Sequence, residues 1–494
     1  LADIAAKAFW PDMKILMAAS ECVPLAKTGG LGDVVGALSA ALAGLGTETA
    51  VVLPAYQSIL EGGFSLEETG IAVEAEIGKD RVKGKVLKTT LDGGVPAYLI
   101  REDRYFCRPH FYGTPQGDYP DNAERFAFFS KAVIHLAQTT GPWDLIHCHD
   151  WQTALVPTLK KLDAASRPGV QKCKTVFTIH NLAYQGIFPF SAWSLLNLDA
   201  RYFAPPYLEF YGRVNPLKGG ILFADALTTV SRKYAREILT PEYGCGLDGV
   251  LRGRERDLCG ILNGVDYRQW NPDTDPYIKK NYGPRDLSGK KICKNDIQEI
   301  YGLPRRAATP LIGIVSRLVD QKGLDIFLDS VEALCRMDLQ IVILGAGDRK
   351  YEALLAQLPG AHPGRIGVKI GFDNALAHKV EAGADMFLMP SKYEPCGLNQ
   401  IYSLKYGTVP VVRATGGLDD TIEDYDPIAG AGNGFKFTPY TAPALIEAVK
   451  RAIAVYGDKK SRRTIIANGM ACDFSWEKSA KEYLYLYDKL SGSS

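Results

Sequence analysis

Short apolar runs alternate with longer amphipathic stretches along most of the chain, the pattern of repeated β-α units that build parallel sheets. Lys14 to Ala19 (KILMAA) predicts a strand, and Leu31 to Leu45 a helix with Gly44 and Gly46 near its end. Further strands are predicted at AVVLP (50–54), AYLI (97–100), DLIHC (144–148), TVFTIH (175–180), ALTTVS (226–231) and CGILNG (259–264). The alternation breaks at Trp270 to Pro310, a polar stretch rich in Lys, Asp, Asn and Pro that predicts a surface connection between domains. It resumes with LIGIVS (311–316), QIVILG (340–345), GVKIGF (367–372), DMFLMP (385–390) and VPVVRA (409–414). The expected class is therefore α/β, in two similar halves with a cleft between them. A last helical pattern, Trp476 to Leu490, has an apolar face that must pack somewhere. The absence of any short-period repeat excludes a solenoid.

Length supports the division, since 494 residues exceed what one hydrophobic core usually serves. Basic and acidic residues nearly balance at a net charge of +1, so no broad field draws nucleic acid or an anionic membrane. Any anion site must be local. Ten cysteines without a C-x-x-C pair point to a reducing compartment rather than a disulfide scaffold or zinc ribbon. No apolar run reaches the roughly 18–20 residues of a membrane span. The chain starts at Leu1 rather than Met, which leaves room for a removed targeting segment.

The local anion site has an obvious candidate in Leu25 to Val34 (LAKTGGLGDV), where Lys27 stands beside glycines between a strand and a helix. Ligands of doubly wound sheets sit beyond strand carboxyl ends, near helix N-termini. The loop nonetheless matches neither the Walker pattern nor G-x-G-x-x-G, because its glycines run Gly30-x-Gly32-x-x-x-Gly36. Phosphate cradle and plain turn both stay open on this stretch alone. In the second half, Arg317 and Lys322 flank the turn of SRLVDQKG at the end of a strand. Lys27, Arg317 and Lys322 together would neutralise a diphosphate without a metal. Tyr393 to Gln400 (YEPCGLNQ) offers a carboxylate and free backbone N–H groups suited to a polyol, with Cys396 read as a nucleophile or as packing. Val411 to Leu418 (VVRATGGL) repeats the strand–glycine–helix turn.

His147 and His149 lie on one side of a strand, a weak metal signal without a third ligand, while Asp150 and Trp151 supply a polar group and a ring platform. His180 ends the next strand as a base or a hydrogen-bonding group for a hydroxyl. Tyr105 to Tyr119 holds five aromatic residues, which serve either sugar stacking or loop packing.

The ordered set KTGGLGDV, HDW, IHN, SRLxxQKG, EPCGLxQ and TGGL resembles the bacterial glycogen synthases and plant starch synthases, over about Lys14 to Tyr487. The resemblance implies a GT-B glycosyltransferase: Rossmann-like domains facing across a deep cleft, divided as residues 1–268 with the terminal helix 477–494 and residues 269–476. It implies glucose transfer from ADP-glucose to the non-reducing 4-hydroxyl of an α-1,4-glucan with retention of configuration. No metal or other cofactor is expected, and neither nucleic acid nor membrane is an expected partner. Location would be the cytoplasm in a bacterium or the plastid stroma in a plant or alga.

Carried over by residue, the resemblance places Lys27 and the Gly29 and Gly30 amides at the donor's distal phosphate and sugar. Arg317 and Lys322 hold the diphosphate, with amides near Thr415, Gly416 and Gly417. Glu394 and the Cys396 and Gly397 amides grip the glucose hydroxyls, and His180 reaches the same sugar. Asp33, Asn263 and Leu398 join the donor-binding set, and Tyr112, Asp150 and Trp151 the acceptor side. Phe372 stands where relatives stack a tyrosine on adenine, and Tyr402 stands where many retaining relatives carry a second glutamate. Lys27, His180, Arg317, Lys322 and Glu394 form the expected catalytic group, acting by same-face substitution in which the departing diphosphate takes the acceptor's proton. An NAD-dependent dehydrogenase, suggested by ILGAGD (343–348) but lacking the third glycine at Lys350, and a non-catalytic glucan-binding protein are the alternatives.

Overall fold

The computed structural model describes residues 13–114, 116–162 and 168–492. The expectations for the chain start, for Pro115 of the aromatic loop and for positions 493–494 of the terminal segment lie outside the described residues. The chain forms two compact units, one running to Val230 with Ala235–Gly264 and the segment from Trp476, the other comprising Ser231–Tyr234 and Val265–Ser475. The break after Gly264 comes earlier than the expected Arg268. Val265 already belongs to the second unit, where its N–H donates to Phe474 O at 2.8 Å and it bridges Ser475. The returning helix likewise opens at Trp476 rather than at Glu477.

The first unit is built on a nine-stranded sheet. In spatial order its strands are Leu258–Gly260, Ala226–Thr229, Lys174–Ile179, Leu145–His149, Lys14–Ala18, Glu48–Pro54, Pro96–Arg101, Asp80–Thr90 and Glu67–Ile77. All pairings up to Pro96–Arg101 are parallel, and the last two strands form an antiparallel hairpin on the edge. CGILNG is strand only in its first part. Lys14–Ala18 is central, which is why its run is apolar on both faces and buried throughout Ile15 to Ala18.

Helix Gly30–Gly44 follows it, burying Leu31, Val34, Val35, Leu38 and Leu42 at helical spacing. The terminal helix Trp476–Ser491 packs beside it with Trp476, Ala480, Tyr483, Leu484 and Tyr487 turned inward. The glycine spacing of the opening loop has a packing cause: an added Cβ at Gly36 would lie 2.6 Å from Val23 O, and one at Gly32 2.9 Å from Ala26 O. Gly36→Ala is therefore expected to cost about 1–3 kcal/mol by forcing the helix off that segment. Gly44→Ala meets nothing within 4 Å and is expected to be neutral or slightly stabilising. Paired thermal melts check both.

The second unit carries a six-stranded, wholly parallel sheet in the order Ile366–Ile370, Gln340–Gly347, Leu311–Leu318, Met386–Met389, Val409–Arg413 and Phe435–Phe437. Alternate residues feed opposite layers. Ile312, Ile314, Ile341 and Ile343 join Phe327, Leu334 and Val449 on one face, whereas Leu311, Val342 and Leu344 join Ile297, Val380 and Leu418 on the other.

Residues 270–310 correct the expectation of a surface connection. They include helix Ser288–Ile300 and contribute Ile278, Tyr282 and Cys293 to a buried cluster with Ala382 and Tyr406. Two of the five lysines in this stretch are themselves buried and satisfied. Lys290 Nζ donates to Thr408 Oγ1 at 2.6 Å and to Ala382 O and Tyr406 O at 3.1 Å, and Lys294 Nζ pairs with Asp385 at 2.6 Å. Among the described residues no helix is long and apolar enough to cross a membrane.

Candidate active site

In the second unit, strand Leu311–Leu318 pairs with Gln340–Gly347 on one side and Met386–Met389 on the other. Strand order reverses there, and the loops leaving the carboxyl ends bound a crevice. The loops after Leu318, Met389 and Arg413 are stitched together. Lys392 N–H donates to Gln321 O at 2.9 Å, Gly417 N–H donates to Glu394 O at 3.1 Å, and the Arg413 guanidinium donates to Lys392 O. This brings Lys322 and Glu394 into direct contact. Glu394 is 5% exposed, and Lys322 Nζ donates to its Oε2 at 2.6 Å, with Ser391 Oγ at 3.0 Å from the same oxygen. Removing either charge would strand the other in a poorly solvated place. Arg317 joins the group through Gln321, whose Oε1 lies 3.4 Å from the guanidinium and whose Nε2 lies 3.3 Å from Tyr393 O.

The glycines of the Val411–Leu418 turn are required by close approach. Gly416 has φ +45°, and an added Cβ would fall 1.9 Å from Glu394 O; at Gly417 it would fall 2.0 Å from Cys396 O. Of the amides near Thr415, Gly416 and Gly417 expected at the diphosphate, two are engaged within the protein: Thr415 N–H donates to Arg413 O at 2.9 Å and Gly417 N–H to Glu394 O. These bonds build the loop. Cys396 is 6% exposed, which favours packing over a nucleophile. Gly397 and Leu398 lead into helix Asn399–Lys405, which is pinned by Asn399 Nδ2 donating to Val315 O at 2.7 Å. Phe372 follows strand Ile366–Ile370 and is 88% exposed. Tyr402 stacks on Trp270 at 3.8 Å between centroids.

The first unit has its own reversal point, because Lys14–Ala18 pairs with both Glu48–Pro54 and Leu145–His149. The loop holding Lys27, Gly29 and Gly30 leaves one of these strands, and Asp150 leaves the other. Lys27 Nζ is 2.8 Å from Asp33 Oδ1. Burial holds the Asp33 carboxyl above its ordinary range, with Lys27 pulling it back. Gly29 N–H donates to Glu21 Oε2 at 3.2 Å, so this amide too is committed inside the protein, contrary to expectation.

Asp150 sits in the left-handed region at φ +55°, and its Oδ1 accepts the His180 N–H at 2.8 Å. Burial pushes its carboxyl up to about 7, although the His180 and Asn181 amides oppose the rise. His180 Nε2 lies 3.0 Å from His149 Nδ1, and burial lowers His180 to about 3, so its ring stays neutral near pH 7 and is suited to hydrogen bonding. The metal reading of the histidine pair fails on geometry. His147 Nε2 is 2.6 Å from Thr178 Oγ1 and its Nδ1 is 2.7 Å from Tyr487 OH, and among the described residues no group of ligating side chains gathers for a metal.

Trp151 turns into an apolar cluster against Phe126 and Phe188, with centroids at 4.9 and 5.6 Å. Asn263 is buried, and its Oδ1 has no hydrogen-bond partner among the described residues. Sequence reasoning missed Glu21, Ser391 and Gln321. For Glu21 the signal was an acid three positions beyond the end of strand Lys14–Ala18, close after its apolar run.

With its raised carboxyl, Asp150 is charged only above about pH 7. If the carboxylate is the working form, activity falls as pH drops through that value, and Asp150→Asn removes this acidic limb. A kcat/KM profile from pH 5 to 9 on both proteins checks it.

A signature for the starch synthase catalytic domain matches residues 14–253, and one for glycosyl transferases group 1 matches residues 299–471. The glycogen synthase of Koribacter versatilis (strain Ellin345) is 49% identical over 478 residues, 97% of this chain and 98% of that protein. The chain belongs to the glycogen and starch synthase family. Glycogen synthase 2 of Geobacter sulfurreducens is a further relative, 46% identical over 96% of this chain and 98% of its own. The solved catalytic domain of Starch Synthase IV from Arabidopsis thaliana bound to ADP and acarbose superposes with a TM-score of 0.89 at 34% identity, covering 97% of this chain and 100% of that one.

As a family member the chain is a glycosyltransferase with the GT-B fold and glycogen or starch synthase function. The dehydrogenase alternative falls. The glycines of ILGAGD serve strand packing, since an added Cβ at Gly345 would lie 2.2 Å from Ser316 O and one at Gly347 2.6 Å from Leu318 O.

Proposed function

We propose that this glycosyltransferase moves glucose from ADP-glucose to the non-reducing 4-hydroxyl of an α-1,4-glucan with retention, without a metal or other cofactor. The observation that carries the reading is the buried Lys322–Glu394 pair at the reversal point of the second sheet, with Arg317 at the carboxyl end of the strand that leads into the Lys322 turn. Paired cations held beside a carboxylate suit a ligand that is a diphosphate at one end and a polyol at the other. The Arabidopsis domain holds ADP and acarbose, which supports the choice of donor and acceptor.

Arg317 and Lys322 are assigned to the diphosphate, Glu394, Cys396 and Gly397 to glucose hydroxyls, and Phe372 to the adenine face. In the first unit Lys27 and the Gly30 amide are assigned to the distal phosphate, with Asp33 orienting Lys27. His180 and Asn263 are assigned to the donor sugar, and Tyr112, Asp150 and Trp151 to the acceptor. The bond from C1 to the diphosphate oxygen breaks as the acceptor oxygen bonds to C1 from the same face. The acceptor's proton passes to the leaving phosphate oxygen, whose growing charge the cations stabilise. All ten cysteines are free thiols, which fits a reducing setting such as bacterial cytoplasm or plastid stroma.

Turnover with ADP-glucose and with UDP-glucose, followed by proton NMR of the extended maltooligosaccharide, tests the reading. ADP-glucose is expected to win by about tenfold or more, with an α-linked product. A preference for UDP-glucose or a β-linked product would refute the assignment.

A further inference from the structure

Glu21 is the most heavily bonded acid of the first unit's site, and neither the proposed chemistry nor the motifs use it. Its carboxylate is 3% exposed and receives four donors. Oε2 accepts Thr28 N–H at 2.5 Å and Gly29 N–H at 3.2 Å, while Oε1 accepts Thr28 Oγ1 at 2.7 Å and Tyr112 OH at 2.7 Å. An ionised carboxylate only accepts, so the Tyr112 proton points at Glu21. Ser20 Oγ, 2.7 Å from the same phenol oxygen, must then be the donor of that contact. Burial and the Glu21 charge together hold the Tyr112 phenol well above its ordinary range, which keeps that proton in place.

The loop is braced again at its base, where Cys22 and Ala26 exchange backbone bonds of 3.0 and 2.9 Å. One buried carboxylate thus fixes both the residues after Lys27 and a tyrosine 91 positions away in the aromatic loop. Glu21 also occupies the amides that a phosphate would otherwise take, which leaves Lys27 and the helix start beyond Gly29 as the outward face of the loop.

We propose that Glu21 is a positioning residue that locks the Lys27–Gly30 loop to Tyr112, so that the donor-side and acceptor-side groups of this unit are set by one anion. The proposal rests on the assignment of Lys27 to the donor and Tyr112 to the acceptor. Thr28 Oγ1 and Tyr112 OH can turn to accept from an amide, so a glutamine could keep the tie, whereas Glu21→Leu keeps the bulk, removes both acceptor oxygens and breaks the tie at both ends. Tyr112→Phe breaks it at one end only.

The test is a double-mutant cycle on the full chain. Glu21→Leu is expected to raise KM for both ADP-glucose and maltoheptaose and to cut kcat/KM by about tenfold or more, and Tyr112→Phe to act mainly on maltoheptaose. In the Glu21→Leu background, adding Tyr112→Phe is expected to change kcat/KM by less than about twofold. If the two losses multiply, or if Glu21→Leu lowers the melting temperature while the folded enzyme keeps wild-type constants, the proposal is overturned. Should Glu21→Leu fail to fold, Thr28→Val removes one loop-side donor and runs the same cycle with Tyr112→Phe.

Amide hydrogen exchange at Thr28 and Gly29 reads the tie without turnover. Exchange about tenfold faster in Glu21→Leu is expected, and unchanged rates would refute the lock. A wild-type chain that transfers no glucose while its exchange responds as expected would sink the donor and acceptor assignment instead.

Discussion

Glu394→Gln is expected to lower kcat by about a thousandfold while leaving a folded protein. The carboxylate is almost inaccessible, and its Oε2 is the shared acceptor for Lys322 and Ser391. Neutralising it leaves Lys322 as an unpaired cation in a poorly hydrated loop, where loss of one partner of a buried pair costs about 3–5 kcal/mol. The same change removes the acceptor proposed to hold the sugar. Lys322→Ala is expected to do equal damage from the opposite side, since it exposes a buried anion next to where a diphosphate would sit. The double variant Lys322→Met, Glu394→Gln separates the two contributions. Melting temperature should recover toward wild type because no charge is stranded, whereas kcat should stay as low as in the single variants. Steady-state turnover and calorimetric melts on the three proteins check this; near wild-type kcat in Glu394→Gln would remove the pair from the chemistry.

Gly416→Ala is expected to reduce turnover by at least about a hundredfold and to destabilise the second unit by about 3 kcal/mol or more. Two costs act at once. At φ +45° a side chain is strained whatever the space, and here the space is filled, because the new carbon would lie 1.9 Å from Glu394 O. The overlap is with backbone rather than with the end of a flexible chain. Relief therefore has to move the Glu394 loop itself, and the Lys322 contact with it. A melt combined with turnover identifies this route: kcat should fall even at temperatures where the variant remains folded.

The parts of the fold that were legible in advance are those where burial leaves little choice of residue. Strands such as Lys14–Ala18 and Leu311–Leu318 have neighbours on both sides and layers on both faces, so their cores, Ile15–Ala18 and Leu311–Val315, read as unbroken apolar runs. The edge hairpin Glu67–Ile77 and Asp80–Thr90 escaped notice because only alternate positions, such as Val73, Ala75 and Ile77, are buried, and charged residues fill the others. Helix Ser288–Ile300 was hidden for a different reason. Its lysines signal solvent, yet Lys290 and Lys294 bury their stems and find carbonyl, hydroxyl and carboxylate partners contributed by chain far away in sequence.

The site divides along the same line. Motifs located Lys27, Lys322, Glu394 and the Gly416 turn, because strand ends followed by glycines are visible locally. Which groups touch was not visible. Lys322 and Glu394 are 72 positions apart, and Glu21 meets Tyr112 across 91. The engaged amides of Gly29, Thr415 and Gly417 show the limit of counting free N–H groups in a turn, since a buried carboxylate or a neighbouring carbonyl can claim them first.

In the proposed reaction protein cations, not a metal, carry the charge of the departing diphosphate during glucose transfer. The most direct test of this is ADP release and maltoheptaose elongation measured together on enzyme treated with excess EDTA and on the same enzyme with magnesium restored. One ADP is expected to be released per α-1,4-linked glucose added, at equal rates in the two samples. Loss of transfer in EDTA with recovery on adding the metal would contradict it.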